Sequence, residues 1–174
     1  KITEDGVSYE DALKEAQKLG LAEADPTMDV GGFDVSFKLS ILASTAFNKR
    51  VPVEDIYCQG IEKISMEDIR YGAKMGLVLK LLAIGKRVGD SFEARVHPTF
   101  ISSTHPLANV RGEFNAVLVD GNAVGEIMLY GKGAGGMPTG SSVVSDIINA
   151  AKSTTYQYNA FNSGDYNDKA DVIK

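Results

Sequence analysis

The sequence predicts an α+β fold in which a mostly antiparallel, mixed β-sheet is covered by helices. Three observations support this class: helical periodicity near both ends, several strand-like apolar runs between them, and turn residues joining the last two runs. The 174 residues, 44% of them hydrophobic, suffice for one domain with a substantial core. We assign residues 1–152 to this domain. Residues 153–174 lack an apolar period and are predicted to be a C-terminal linker or arm.

Capping residues predict where the helices of the first half begin and end. The first helix is expected to follow Ser8, a favourable N-cap, and to stop before Gly20, a favourable C-cap glycine. The second is expected over Phe33–Phe47 and is apolar almost all round, which indicates burial on every side. The third follows Ser65 and runs to about Met75.

Strands account for most of the second half of the chain. The predicted strands are Ile56–Ile61, Leu77–Gly85, Ser91–Phe100, Asn115–Asp120 and Asn122–Tyr130. The run Asp120-Gly121-Asn122 indicates a tight hairpin between the last two. A glycine-rich stretch over 131–136 then precedes a final helix from about Ser141 to Lys152, with its apolar side chains inward.

Charge and composition exclude several classes of function. The whole net charge of −5 falls within residues 1–38, which hold nine acidic and four basic side chains. An acidic chain without a basic tract is not typical of nucleic-acid binding, and the apolar runs are too short to span a membrane. The single cysteine, Cys58, rules out an internal disulfide framework and favours a cytoplasmic protein. Two unclustered histidines argue against a metal site.

Asp34 and Lys38 are spaced to meet on one face of the second helix. One interpretation is an ordinary surface ion pair. The other is a lysine in a partly closed cleft, because the surrounding helix is apolar, where neighbouring carboxylates keep it protonated and able to donate to a developing alkoxide. The nearby acids Glu23, Asp25 and Asp29 would then be available to bind a substrate ammonium group.

The stretch Gly131–Gly136 has the form G-x-G-x-x-G between a strand and a helix. A Rossmann unit is nevertheless not predicted here, because only 38 residues follow and none of them forms a second strand ending in an acid. Two interpretations stay open. The glycines either allow close packing of the helix or present backbone N–H groups to a ligand phosphate or amide.

Four segments of the chain resemble the homoserine dehydrogenase family. They are Lys18–Pro26 continuing to Asp29, the G-x-D-x-x-x-K pattern of Gly32–Leu39, Thr104–Ala108, and Tyr130–Ser141 continuing to Asp146. The resemblance covers about residues 8–152 in the expected order, and the last segment is the most specific.

The resemblance implies an activity and a set of site residues. The family enzyme interconverts L-aspartate 4-semialdehyde and L-homoserine with NAD(P)H, on the route to threonine, methionine and isoleucine. The implied site residues are Lys38 for proton transfer, Glu23, Asp34 and Asp29 for the substrate, and Gly20, Gly133 and Gly135 for the cofactor.

The sequence also departs from the family pattern. Family members carry an N-terminal Rossmann domain, and many add a C-terminal ACT domain; neither has a counterpart here. The resemblance therefore implies a substrate-binding and dimerisation domain of a homodimer or tetramer, inactive alone, with NADP or NAD held mainly by the N-terminal domain. One alternative is a non-catalytic homodimerisation domain. Another is a different semialdehyde dehydrogenase with a cysteine nucleophile, although Cys58 has no base near it in sequence.

Overall fold

The computed structural model describes residues 2–152 and 170–173, and it is an α+β fold as predicted. The helices are α1 (Ile2–Asp5), α2 (Tyr9–Lys18), α3 (Thr27–Val30), α4 (Phe33–Phe47), α5 (Met66–Lys74) and α6 (Gly136–Lys152). The strands are β1 (Tyr57–Cys58), β2 (Leu77–Val88), β3 (Ser91–Ser102), β4 (Phe114–Gly121), β5 (Gly125–Lys132) and β6 (Val172–Ile173). Two short 3-10 helices lie at Val53–Asp55 and Pro106–Asn109.

The chain forms two compact units. The first contains the described residues up to Ile101 together with 170–173, and the second begins at Ser102 and contains the described residues up to Lys152. Of the predicted C-terminal arm, residues 153–169 and 174 lie outside the described part of the chain. Both the arm and the single domain over 1–152 stay predictions.

Strand β3 is the centre of the sheet in the first unit. It has β2 on one side, while β1 and β6 both pair with it in parallel. Cys58 of β1 lies opposite Val96, and Val172 of β6 lies opposite Phe92, so the two short strands follow one another along the same edge. The prediction of a mixed sheet is thus confirmed. The prediction that the sheet is mostly antiparallel remains untested.

The core of the first unit lies between β3 and one face of α4. Phe92, Ala94 and Val96 alternate along β3 and are almost fully buried, as one face of a strand requires. Leu39 and Ala43 of α4 pack into the same cluster. The helix that carries the candidate site is therefore fixed to the sheet by a single face.

The predicted helix caps of this unit are confirmed. The Ser8 hydroxyl accepts a hydrogen bond from the Asp11 N–H at 3.1 Å, and Ser65 forms a complete capping box with Asp68. Gly20 ends α2 with φ +69°, and two backbone bonds, Gly20 N to Gln17 O and Leu21 N to Ala16 O, complete a Schellman motif.

The second unit contains an antiparallel hairpin and α6. In β4 and β5, Phe114 lies opposite Lys132 and Gly121 lies opposite Gly125. The predicted turn at Asp120–Asn122 is wrong by two residues, because the strands extend to Gly121 and the left-handed φ of +72° falls on Gly125.

Helix α6 starts five residues before its predicted beginning at Ser141. Pro138 does not delay the helix, because it lies in the first turn of α6, where a missing N–H costs nothing. The apolar side chains predicted to face inward, Val143, Val144, Ile147 and Ile148, are 45–62% exposed in the described part of the chain.

Candidate functional site

Helix α4 holds Asp34 and Lys38 one turn apart, as their spacing predicts. The Lys38 Nζ donates to Asp34 Oδ2 at 2.6 Å. The side chains are 59% and 42% exposed for Lys38 and Asp34 respectively, so in this chain the pair reaches solvent. This geometry agrees with the interpretation of Asp34 and Lys38 as a surface ion pair. The described residues do not form a closed cleft around Lys38.

The ion pair lies among exposed apolar side chains on the outer face of α4. Those that surround it are Phe33, Phe37, Ile41 and Leu42, each 46–68% exposed. The expectation that α4 is buried on every side is therefore wrong, because the described residues cover only the face of Leu39 and Ala43. A contiguous exposed apolar patch is typical of a surface that binds something.

Helix α4 is capped by a local bond at its start and tied to neighbouring backbone in its second half. At its start, Gly32 is the N-cap with φ +79°, and the Ser36 hydroxyl donates to the Gly32 carbonyl at 3.1 Å. In its second half, Ser40 Oγ donates to Val51 O at 2.6 Å and Ser44 Oγ accepts from Val51 N at 2.9 Å. The exposed ion pair therefore sits on a helix whose position and rotation are well defined.

The acidic loop before α4 is ordered by local hydrogen bonds. Asp25 Oδ1 accepts from the Thr27 hydroxyl at 2.6 Å and from its N–H at 3.1 Å, and these bonds lower the pKa of Asp25 from its usual value. The Gln17 side chain donates to the Glu23 carbonyl oxygen at 2.9 Å. Asp25 is therefore held by a local turn with Thr27 at the start of α3.

The structure brings Asp34 to Lys38 and leaves the other predicted acids apart from them. The carboxylates of Glu23 and Asp29 are exposed, and within residues 2–152 and 170–173 no hydrogen bond or ion pair joins either of them to Lys38. Their assignment to substrate binding stays a prediction.

The glycine loop belongs to the second unit and joins β5 to α6. Gly133 N donates to Glu113 O at 2.8 Å, and Lys132 Nζ lies 3.0 Å from Glu113 Oε1. That hydrogen bond from Lys132 lowers the pKa of Glu113. Gly135 has φ +121°, a conformation that other residues rarely adopt. Gly133–Gly135 are exposed directly before the N-terminus of α6, with the Gly133 N–H already bonded to Glu113 O and the Asn115 side chain against Gly133.

The histidines and the cysteine make local contacts. His105 Nδ1 accepts from Leu107 N at 3.2 Å, and His97 Nε2 accepts from Arg95 Nε at 3.1 Å. Cys58 Sγ donates to the Gly31 carbonyl at 3.3 Å. In the part of the chain that the structure describes, no three histidine, cysteine or acidic side chains are grouped to hold a metal ion, and no helix is long and apolar enough to cross a membrane.

Sequence reasoning missed two features of this site. The first is the exposed apolar patch, which an all-apolar helix signals only as burial. The second is the contact of Cys58 and Gly60 with the start of α4, for which the isolated glycine after a short strand was the available signal.

Comparison with known proteins gives a consistent family. The family model described as homoserine dehydrogenase matches residues 1–148. Homoserine dehydrogenase of Synechocystis sp. is 50% identical over 153 residues, which are 86% of this chain and 35% of that protein. The Bacillus subtilis homoserine dehydrogenase is 49% identical over 152 residues, which are 87% of this chain and 35% of that protein. The chain therefore spans about a third of the length of these relatives.

Solved structures give the same result. A homoserine dehydrogenase from Thiobacillus denitrificans superposes with a TM-score of 0.86 at 41% identity, covering 99% of this chain and 41% of the other. A hyperthermophilic archaeal homoserine dehydrogenase in complex with NADPH superposes with a TM-score of 0.65 at 32% identity, covering 84% of this chain and 41% of the other.

Proposed function

The chain belongs to the homoserine dehydrogenase family, and from this premise we propose that it is the substrate-binding domain of an oxidoreductase of amino-acid biosynthesis. The reaction is the interconversion of L-aspartate 4-semialdehyde and L-homoserine, on the route to threonine, methionine and isoleucine. The observation that carries the proposal is the Asp34–Lys38 ion pair within an exposed apolar patch.

Lys38 is the proton-transfer residue in this proposal. Its ammonium group donates a proton to the carbonyl oxygen of the semialdehyde during reduction, and the neutral amine takes the hydroxyl proton of homoserine during oxidation. Asp34 accepts a hydrogen bond from Nζ at 2.6 Å, which limits the positions that Nζ can occupy. Covering the patch around them would exclude water and strengthen both interactions.

Carboxylates provide the complement to the substrate ammonium. We assign Asp34 and Glu23 to that group, with Asp29 as a supporting acid. Asp34 has two carboxylate oxygens that can accept hydrogen bonds. The ion pair with Lys38 engages Oδ2, so the second oxygen can accept a bond from the substrate ammonium. The exposure of Glu23 and Asp29 leaves both carboxylates accessible to a ligand.

The cofactor of the reaction is NADP or NAD. When bound, it supplies or accepts the hydride at the substrate carbon. We assign Gly133 and Gly135 to cofactor contact, because an exposed glycine backbone before a long helix can approach a phosphate or amide. Gly20 is the third residue that we assign to cofactor contact, and most of the binding falls to a nucleotide domain.

A non-catalytic homodimerisation domain is the second candidate. The exposed apolar side chains of α6 favour it, since such a surface is stabilised by a partner. In either case we propose a cytoplasmic homodimer or tetramer. The two candidates differ in whether Lys38 takes part in chemistry.

The deciding experiment substitutes Lys38 in a full-length homoserine dehydrogenase containing this chain. Lys38→Ala should lower kcat by about a thousandfold or more, as expected for loss of a proton-transfer group combined with its positioning. Lys14→Ala, an exposed lysine of α2, is the matched control and should retain activity. An unchanged kcat in Lys38→Ala, with an unaltered circular dichroism spectrum, would favour the homodimerisation domain.

A further inference from the structure

The start of α4 is packed against the backbone that follows β1. Ile61 N donates to Val30 O at 2.8 Å, and Cys58 Sγ donates to Gly31 O at 3.3 Å. Gln59 N in turn donates to Val96 O at 2.8 Å, which holds this segment on the central strand. The residues before α4 are thereby bonded, through a short connector, to the sheet.

Gly60 lies at the tightest point of this contact. A Cβ atom at Gly60 would overlap the Val30 carbonyl oxygen and lie 2.6 Å from Gly31 Cα. Both neighbours are backbone atoms, so neither can move aside by changing a rotamer. Any side chain at position 60 would have to push the Val30–Gly31 backbone away from the sheet.

A displacement at Gly31 would be transmitted to the ion pair. Asp34 follows Gly31 by three residues, and Lys38 lies one turn further along the same helix. Beyond them, Ser40 and Ser44 are both hydrogen-bonded to Val51, so the second half of α4 resists movement. A push at the start of α4 would therefore tilt the segment that carries Asp34 and Lys38.

We propose that Gly60 and Cys58 are positioning residues for the Asp34–Lys38 pair. Gly60 sets the separation between α4 and the sheet by its missing side chain, and Cys58 fixes the Gly31 carbonyl by its S–H donor. This assignment rests on the proposed function, because positioning matters only if Lys38 and Asp34 act on substrate.

The test measures steady-state homoserine oxidation by full-length enzyme containing this chain, with thermal unfolding in parallel. Gly60→Ala should lower kcat by about tenfold or more, because misplacing a reacting group by about 1 Å is costly. The KM for NAD(P) should stay unchanged, since none of the residues that contact Gly60 is assigned to the cofactor. Gly85→Ala is the matched control: its Cβ would meet Leu39 and Ala43 of α4 at 3.4 and 3.8 Å, which are ordinary contact distances.

Cys58 supplies a milder test that does not depend on Gly60→Ala folding. Cys58→Ala removes the donor to Gly31 O and should lower kcat about threefold, whereas Cys58→Ser keeps a donor and should stay within about twofold of the wild type. If Gly60→Ala does not fold, these two variants decide: equal kcat values in Cys58→Ala and Cys58→Ser overturn the proposal.

The outcomes separate this proposal from the proposed function. If Lys38→Ala abolishes turnover while Gly60→Ala and Cys58→Ala keep the kcat of Gly85→Ala, only the positioning role is wrong. The positioning role is also wrong if Gly60→Ala or Cys58→Ala unfolds at a lower temperature than the wild type but, while still folded, keeps the wild-type kcat and KM for homoserine. If Lys38→Ala keeps its activity, the proposed function fails and the positioning role fails with it.

Discussion

Lys38 Nζ lies 2.6 Å from Asp34 Oδ2 on the face of α4 that points away from the core. Because both side chains are exposed by more than a third, the pair adds only about 0.3–0.5 kcal/mol to the stability of this chain. Folding alone therefore gives little reason for two charges among Phe37, Ile41 and Leu42. Their proposed role in substrate chemistry gives a better one.

Asp34→Asn tests the carboxylate of this pair. The substitution keeps the size of the side chain but removes its charge, so the KM for homoserine should rise roughly tenfold, as for loss of one charged hydrogen bond. The free energy of unfolding should change by less than about 0.5 kcal/mol. Steady-state kinetics and urea unfolding of the full-length enzyme measure the two effects. Glu10→Gln on α2 is the control, and an unaltered KM would contradict ammonium recognition by Asp34.

The chain by itself should not oxidise NAD(P)H in the presence of aspartate semialdehyde. It spans about a third of the length of its relatives, and the proposed function assigns most of the cofactor binding to a nucleotide domain outside this chain. The absorbance of the reduced nicotinamide measures this directly, with a full-length homoserine dehydrogenase as the positive control. Turnover by the folded chain would mean that the cofactor binds here without a nucleotide domain.

Gly20→Ala should destabilise the chain by about 1 kcal/mol, because φ at this position is +69° and a Cβ atom is strained there. Space does not limit the substitution, since nothing lies within 4 Å of the added atom. Gly140→Ala within α6 is the counterpart: its Cβ is also free, its φ is not left-handed, and it should stabilise by roughly 0.5–1 kcal/mol. Denaturant unfolding distinguishes them, and equal shifts would contradict the Schellman assignment.

A rise in the KM for NAD(P) in Gly20→Ala would add cofactor contact to the conformational role. An unchanged KM would leave Gly20 as a helix terminator alone.

The capping box of α5 should make stability depend on pH. The Ser65 hydroxyl and N–H bonds lower the folded-state pKa of Asp68 from the usual 3.8. Asp68 therefore contributes stability at pH values above 3.8, and this contribution is lost as the pH falls through the lower folded-state value. Ser65→Ala should cost about 1 kcal/mol at neutral pH and flatten this acid-side slope. Thermal unfolding between pH 2 and 7 is the measurement, and an identical slope in the variant would refute the linkage.

Local signals in the sequence predicted local structure well. Ser8, Ser65 and Gly20 are caps that act within one turn, so their roles follow from residue type and spacing. The bounds of α4 and the contact between Asp34 and Lys38 followed from helical periodicity for the same reason. That these two residues belong to a site is a prediction from the family resemblance.

Features that depend on distant parts of the chain could not be predicted in this way. An apolar residue such as Phe37 has the same pattern whether the core or a separate partner covers it, so the exposure of the outer face of α4 was missed. The need for glycine at position 60 arises from Val30 and Gly31, thirty residues earlier, and only the folded backbone reveals it. Helix α6 also starts earlier than predicted, with Pro138 in its first turn, where proline is compatible with a helix.

Residues 170–173 pack into the core and the sheet of the first unit. Ala170 is buried in the core, its N–H bonds to Arg50 O, and Asp171 accepts from Phe92 N and from the Ser91 hydroxyl. A protein truncated after Lys152 would lose these bonds and would expose the edge of β3 beside Phe92. The sheet of the first unit therefore includes β6, which falls within the 153–174 stretch that the sequence alone predicts to be a linker or arm.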